Sequence, residues 1–239
     1  MSLLSEIQMV YKLGKYKPSD KMSDLVCENY STLLVMSRFG IALGFGDRSI
    51  AEVCRDAEVD TATFLAVVNM MFYKEPLSDE ECDNISVEAF MDYLHNSHTY
   101  YLKYRLPSIR AKLLETLGDG DIAVVIARFF DEYETEVRKH MSYEERTLPP
   151  YVRTLLEGVK PADYDIDTFE RQHDDVEEKM SDLKNILIKY YPATDHNELN
   201  VVLFDIFAIE EDLAAHNFVE NNLLIPIVKR LEHKIDVAR

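Results

Sequence analysis

The apolar and polar positions of this chain follow the period of an α-helix over most of its length. Apolar residues recur three and four positions apart, which places them on one face of a helix. Glycine and proline, which interrupt regular structure, number only 7 and 8 among 239 residues. The pattern therefore predicts an all-α protein.

Four long helices are predicted in the second part of the chain, at about residues 87–117, 122–147, 167–190 and 198–230. The first is expected to bend near Pro107 and the fourth near Pro226, because proline lacks an amide N–H and its ring clashes with the preceding turn. Short turns at residues 118–120, around Pro161 and around Pro192 join the helices. The expected architecture is therefore an antiparallel four-helix bundle.

A smaller helical domain is predicted ahead of the bundle. Helical patterns cover three stretches, at about residues 24–39, 49–56 and 62–72. Asp60 is placed to cap the third of these helices. An acidic and polar stretch at residues 76–86 marks the boundary. The expected division is a small N-terminal domain over residues 1–80 and the bundle over residues 81–239.

Charge and composition narrow the class of protein. The net charge of −18 argues against nucleic-acid binding, since contacts with phosphates need a basic face. The sequence has no apolar run long enough to cross a bilayer and no signal peptide, so we expect a cytoplasmic protein without a membrane partner. Cys27, Cys54 and Cys82 are widely spaced and odd in number, which predicts reduced and mostly buried thiols.

One motif occurs twice within the predicted bundle, as His140-x-x-x-Glu144 and His216-x-x-x-Glu220. A single histidine precedes each copy, because His98 lies 42 positions before His140 and His173 lies 43 positions before His216. Residues four apart share a helix face, so the histidine and glutamate of each copy can reach one inward point. A separation of about 42 residues fits a helix, a loop and an antiparallel return. The pattern predicts two hairpins that together hold two metal ions.

The repeat continues beyond these candidate ligands. Leu148 and Pro150 follow the first copy at the same offsets at which Leu224 and Pro226 follow the second. The prolines are expected to end or kink each helix soon after the histidine and glutamate. Two histidines for each ion and two bridging carboxylates leave coordination positions open. This nitrogen and oxygen donor set suits iron or manganese, with zinc as a substitute.

Residues 86–233 resemble the hemerythrin-like cation-binding domain, and the whole chain resembles the di-iron RIC (repair of iron centres) family, in which a small domain precedes such a bundle. The family's ligand pattern falls on six residues of this sequence: His98, His140, Glu144, His173, His216 and Glu220. The family's segment after the last ligands is matched by Glu220-Asn-Asn-Leu-Leu-Ile-Pro226. The spacing from His98 to Tyr101 and to Leu106-Pro107 also fits, and it selects His98 over the neighbouring His95 as the first ligand.

The resemblance implies two iron ions in an oxo- or hydroxo-bridged centre that binds small diatomic ligands, nitric oxide or oxygen. It further implies a stress-response protein that restores damaged iron–sulfur clusters in partner proteins, by iron donation or by nitric oxide reductase-type activity. A di-iron oxygen or nitric oxide sensor acting on a protein partner is the first alternative. A storage module for iron or oxygen is the second.

Two departures from related families refine this reading. Oxygen-carrying hemerythrins use a fifth histidine and a later carboxylate, where this chain has Glu177 and Asn221. RIC proteins carry an adjacent cysteine pair in the small domain, whereas residues 39–46 here read Phe-Gly-Ile-Ala-Leu-Gly-Phe-Gly. The first departure favours the RIC group over oxygen carriage, and the second favours the sensor alternative.

Several other residues have more than one reading. Glu177 is a fifth protein ligand, a hydrogen-bond acceptor for a ligand, or a solvent-facing carboxylate. Tyr101 and Tyr143 each follow a candidate ligand by three positions, and they either donate a hydrogen bond to a bound oxygen species or pack as ordinary aromatic residues. His196 and His233 are expected on the surface.

Overall fold

The computed structural model describes residues 14–75, 77–118, 120–172, 177–191 and 196–237. The chain divides by its internal contacts into two compact units, Met1–Tyr93 and Leu94–Arg239. The division falls later in the sequence than the predicted boundary after residue 80, which was placed by composition and stays a prediction. Among the described residues, no helix combines the length and the apolar character that crossing a membrane requires.

The first unit consists of short helices: α1 (Met22–Glu28), α2 (Thr32–Arg38), α3 (Ile50–Asp56), α4 (Thr61–Tyr73), α5 (Asp79–Asp83) and the start of α6 (Val87–Tyr100). The single helix expected over residues 24–39 is therefore wrong, because two helices occupy that stretch. Asn29 ends the first of them in a non-helical conformation, and its side chain donates to the Tyr16 hydroxyl over 3.3 Å. Asparagine favours such breaks because its amide competes with the helix for hydrogen bonds.

The helices α3 and α4 begin at capping residues. Ser49 forms a reciprocal capping box with Glu52 ahead of α3. Asp60, the predicted cap, accepts the Thr63 amide N–H over 2.8 Å at the start of α4. Residues 64–70 of α4 are all buried, and the Phe64 ring meets the Phe39 ring at 5.5 Å between centroids. Capping and burial together explain why the pattern located both helices to within a residue or two.

The second unit contains the rest of α6, α7 (Leu106–Leu117), α8 (Asp121–Leu156), α9 (Ile166–Gln172), α10 (Glu177–Tyr190), α11 (His196–Val219) and α12 (Ile225–Val237), with one turn of π-helix at Tyr101–Arg105 and another at Glu220–Leu224. The helix α7 contacts α8 and α11, and α10 contacts the same two helices. Toward the other end, α12 contacts α8 and α9. This closed set of contacts is a four-helix bundle, which confirms the predicted all-α fold.

The bundle core is apolar over the half formed by α7, α8, α10 and α11. Ile109, Phe130, Leu183 and Ile206, one from each helix, are fully buried there. Burial of such side chains contributes about 1.5–3 kcal/mol each relative to exposure, and this is the main force that holds the helices together. The core therefore provides a rigid frame for the polar residues that lie further along the bundle.

A turn of π-helix lies directly before each of the two prolines at which a bend was predicted. Before Pro107 the Leu106 amide N–H donates to the Tyr101 carbonyl, and before Pro226 the Ile225 N–H donates to the Glu220 carbonyl. These bonds span five residues instead of four, which widens the helix and makes room for a proline ring. The two π turns are thus equivalent features of the two halves of the bundle.

The helix α8 does not end near residue 147 as expected. It continues through Pro149 and Pro150 to Leu156, although both prolines lack the N–H of a regular helix. Tyr151 and Val152 directly beyond them are buried. We attribute the continuation to this packing, because the apolar face of α8 stays buried past the prolines and offsets the lost hydrogen bonds.

Candidate metal centre

The histidines and glutamates of the doubled motif come together inside the second unit. The helix α6 supplies His98, α8 supplies His140 and Glu144, α11 supplies His216, and the second π turn begins at Glu220. Each side chain lies on the inward face of its helix, and each residue is buried, with Glu220 at 0% exposure. Burial of charged side chains is rare unless they are paired or bind a metal.

Four of these residues form one compact cluster. Donor atoms of His98, Glu144, His216 and Glu220 all lie within 4.8 Å of one another. The His98 Nε2 atom lies 3.2 Å from His216 Nε2 and 3.1 Å from Glu144 Oε2. The Glu220 Oε1 atom lies 3.3 Å from His216 Nε2 and 3.9 Å from His98 Nε2. Three helices therefore direct nitrogen and oxygen donors at one point.

His140 extends this cluster along α8. Its Nε2 atom lies 3.2 Å from the Oε1 atom of Glu144, while the other oxygen of Glu144 faces His98. The two oxygens of one carboxylate thus face imidazoles from two different helices. This geometry is suited to a carboxylate that spans two neighbouring ions.

His173, the remaining predicted ligand, lies outside the described residues, and so does the side chain of Glu177. His95, three positions before His98, is not in the cluster, and 62% of its side chain is exposed. His196 and His233 are exposed, as predicted. The structure thus brings five of the six predicted ligands together, and their role as ligands stays a prediction.

Both tyrosines near the cluster pack against other groups. The Tyr101 hydroxyl donates to the Asp212 carbonyl over 3.1 Å, and its ring meets the His216 ring edge to face at 5.6 Å. The Tyr143 ring stacks on Phe169 with 6.1 Å between centroids. The structure therefore favours the packing interpretation for both residues, and Tyr101 in addition supports the orientation of His216.

Glu145 is a residue of the site that the sequence did not single out. Its Oε1 atom lies 2.7 Å from His98 Nδ1, and its Oε2 atom lies 2.9 Å from His95 Nδ1. The hydrogen bond with His98 is the main reason that the pKa of Glu145 is lowered to about 2. The only sign of Glu145 in the sequence was a second carboxylate directly after Glu144. The pattern of the sequence does not show that this carboxylate faces α6.

The electrostatics of the cluster favour a bound cation. Burial of the His98 imidazole acts to lower its pKa, but hydrogen bonds to Glu144, Glu145 and Glu220 more than offset this and hold the pKa well above 6.5. The carboxylates thus attract positive charge to the site, and a metal ion would supply that charge through all four donors at once. Two imidazole nitrogens and two carboxylates are a donor set that fits iron or manganese.

An α-helical bundle with a buried cluster of histidine and glutamate donors defines a metal-binding helical-bundle protein. Residues 89–228 match the model of the Hemerythrin HHE cation binding domain, which is more than half of the chain. The chain belongs to this family. Comparison with curated proteins found no match, and neither did comparison with solved structures.

Proposed function

We propose that this protein holds a di-iron centre and acts, as RIC proteins do, in the repair of iron–sulfur clusters damaged by oxidants or nitric oxide. The observation that carries the proposal is the buried cluster of His98, Glu144, His216 and Glu220 with His140 beside it. The chain belongs to a cation-binding family, and the nitrogen and oxygen donors of the cluster are those that iron prefers.

The arrangement of Glu144 supports two ions rather than one. Its two oxygens face His140 and His98, so ions bound to these histidines would share the carboxylate. Glu220, one helical turn after His216, occupies the equivalent place in the second copy of the motif. We assign His173 as the further ligand on the ground of the sequence repeat.

The protein's own residues bind, orient and shield the metals. The imidazoles and carboxylates of α6, α8 and α11 would hold the ions, and the carboxylates would offset their charge in a core of low polarity. The buried Tyr101 ring, which packs against His216, limits the access of water on that side. Iron bound in this way supplies open coordination positions for nitric oxide or oxygen together with a reversible change of oxidation state.

Anaerobic addition of nitric oxide to the protein loaded with ferrous iron tests the proposal. We expect about two iron ions per chain and one nitrous oxide formed from two nitric oxide molecules per centre, with the two ferrous ions giving one electron each and water as the other product, or else transfer of iron to a cluster-depleted iron–sulfur protein. Folded, iron-supplied protein that keeps less than one iron per chain contradicts the di-iron assignment. Protein that keeps two ions and supports neither reaction contradicts the repair function.

The second candidate function is sensing, in which a ligand at the metals alters a protein partner. The absence of cysteine from residues 39–46 favours it, because the small domain then lacks the thiol pair of RIC proteins. Tight, stoichiometric binding of nitric oxide without turnover would support sensing over repair. For either function we propose a cytoplasmic setting, where both ferrous iron and reduced thiols persist.

A further inference from the structure

The Glu145 carboxylate joins two histidines of the neighbouring helix. One of its oxygens lies 2.7 Å from His98 Nδ1 and the other lies 2.9 Å from His95 Nδ1. The exposed fraction of the side chain falls from 62% at His95 through 31% at Glu145 to 6% at His98. The three side chains therefore form a continuous hydrogen-bonded row from the surface of the bundle to the buried cluster.

The two ring nitrogens of His98 face different carboxylates. Nδ1 meets Glu145 on the outer side, whereas Nε2 meets Glu144 and His216 on the inner side. A carboxylate acceptor at Nδ1 keeps a proton on that nitrogen, so a metal ion that displaces a proton from His98 would do so at Nε2, which faces the cluster. Glu145 thus controls both the tautomer and the orientation of the ring.

We propose that Glu145 is a positioning residue that holds His98 ready to bind metal through Nε2, and that His95 fixes the Glu145 carboxylate by occupying its second oxygen. The proposal rests on His98 being a metal ligand, as in the proposed function. It gives His95 a role outside the cluster, although the sequence placed this residue beside the first ligand. An ordinary ion pair would not require both carboxylate oxygens to bond to imidazoles.

Variants of Glu145 test this role with zinc(II) as a probe that does not change oxidation state. We expect Glu145→Ala to weaken zinc binding by about 10- to 100-fold in competition with a chelator, and Glu145→Gln to weaken it less, because the amide oxygen still accepts the Nδ1 proton. Glu134→Ala is the matched control, since Glu134 lies on the same helix and pairs with Arg138 instead. The control variant should bind zinc as the parent does.

The Nδ1 proton of His98 gives a second readout that a general loss of stability would not move. In nitrogen-15 NMR spectra of the metal-free and zinc-loaded protein we expect a hydrogen-bonded Nδ1–H on His98. The Nδ1 proton should stay protected from exchange with water in Glu145→Gln and exchange much faster in Glu145→Ala, where no side chain accepts it. His95→Ala should weaken zinc binding slightly in the parent and have no effect in the Glu145→Ala background, because it acts through Glu145.

Zinc binding by Glu145→Ala within twofold of the parent would overturn the proposal, and so would a His98 Nδ1 proton that exchanges as slowly in that variant as in the parent. Failure of the parent itself to bind zinc or iron would instead count against the proposed function. The signal of the metal-free protein still tests the contact between Glu145 and His98 in that event. Circular dichroism shows whether each variant folds, and Glu145→Gln keeps the shape of the side chain.

Discussion

Glu144 and Glu220 are the most deeply buried charged residues of the site, at 1% and 0% exposure. Each lies one helical turn after a histidine of the same motif, and the oxygens of Glu144 face imidazoles from two helices. A carboxylate in this place offsets positive charge on every ion that it touches, whereas a histidine contributes one neutral bond. The two kinds of ligand should therefore respond differently to removal.

We predict that Glu144→Ala and Glu220→Ala each lose nearly all bound iron, while His98→Ala keeps a weakened centre. Repulsion between two ions in a core of low polarity grows once a bridging carboxylate is gone, and water can replace a missing imidazole. Iron content after gel filtration measures the effect, with the exposed His233→Ala as the control. Glutamate variants that keep the parent's iron content would show that these carboxylates do not bridge.

The sequence identified these residues because a doubled spacing is a strong constraint. The placement of five of them follows from the helix period and from the antiparallel return of the chain, and both features are encoded locally. These five are His98, His140, Glu144, His216 and Glu220. Glu145 was not identified, because the sequence does not show which of the two adjacent glutamates faces α6. That depends on how α8 is rotated about its own axis when it packs against α6. That rotation is set by tertiary packing, to which the whole core contributes.

At the scale of elements, Asp205 fastens the first π turn to α11. Arg105, the last residue of that turn, donates to the Asp205 carboxylate over 2.9 Å, and Lys112 donates to its other oxygen over 2.6 Å. Burial alone would raise the pKa of Asp205, but the hydrogen bonds and charges of Lys112 and Arg105 more than offset this and hold it below 3.8. The ionised carboxylate therefore stabilises the folded state.

We predict that Asp205→Asn lowers the free energy of unfolding of the metal-free protein by about 1.5 kcal/mol at neutral pH. Because the pKa of Asp205 is lower in the folded state, its carboxylate contributes fully to stability at pH values above the unfolded pKa near 3.8. This contribution is lost as the pH falls through the folded pKa. Urea melts across this range should show the gap between parent and variant closing on acidification. Glu132→Gln, in an exposed pair with Arg128, should change little at any pH.

The helices themselves were more predictable than their irregularities. Periodicity located the helical stretches of the bundle, because an apolar face facing a core leaves a clear spacing, although the third stretch is described as α9 and α10 on either side of residues 173–176. The π turns, and the run of α8 through Pro149 and Pro150, could not be predicted in the same way. A proline removes local hydrogen bonds, and whether the helix then widens, continues or ends depends on contacts with its neighbours.

For the whole molecule, the metal and the fold should stabilise one another. The proposed ligands come from α6, α8, α11 and the second π turn, so a bound ion would link helices that are distant in sequence. A ligand that binds only the folded state stabilises it by mass action. The net charge of −18 adds to the effect, because cations reduce the repulsion within an acidic molecule.

We predict that iron at about one hundred times its dissociation constant raises the melting temperature by roughly 5–10 °C relative to protein treated with a chelator. Differential scanning calorimetry under anaerobic conditions measures the shift. Glu220→Ala should show almost none of it, because that variant is expected not to hold the metal. A shift of equal size in Glu220→Ala would place the stabilising ion elsewhere on the protein.

The two π turns also fix the rotational register of the helices that follow them. Each holds one residue more than an α-helical turn needs, and one residue turns a helix by about 100°. Deleting one residue between Glu220 and Leu224 would convert the π turn into a regular α-helical turn, so the buried Ile225 and Val228 would keep their present facing. A deletion of one residue is therefore better tolerated at these two turns than in the regular helices on either side, where it would rotate every following residue by about 100°.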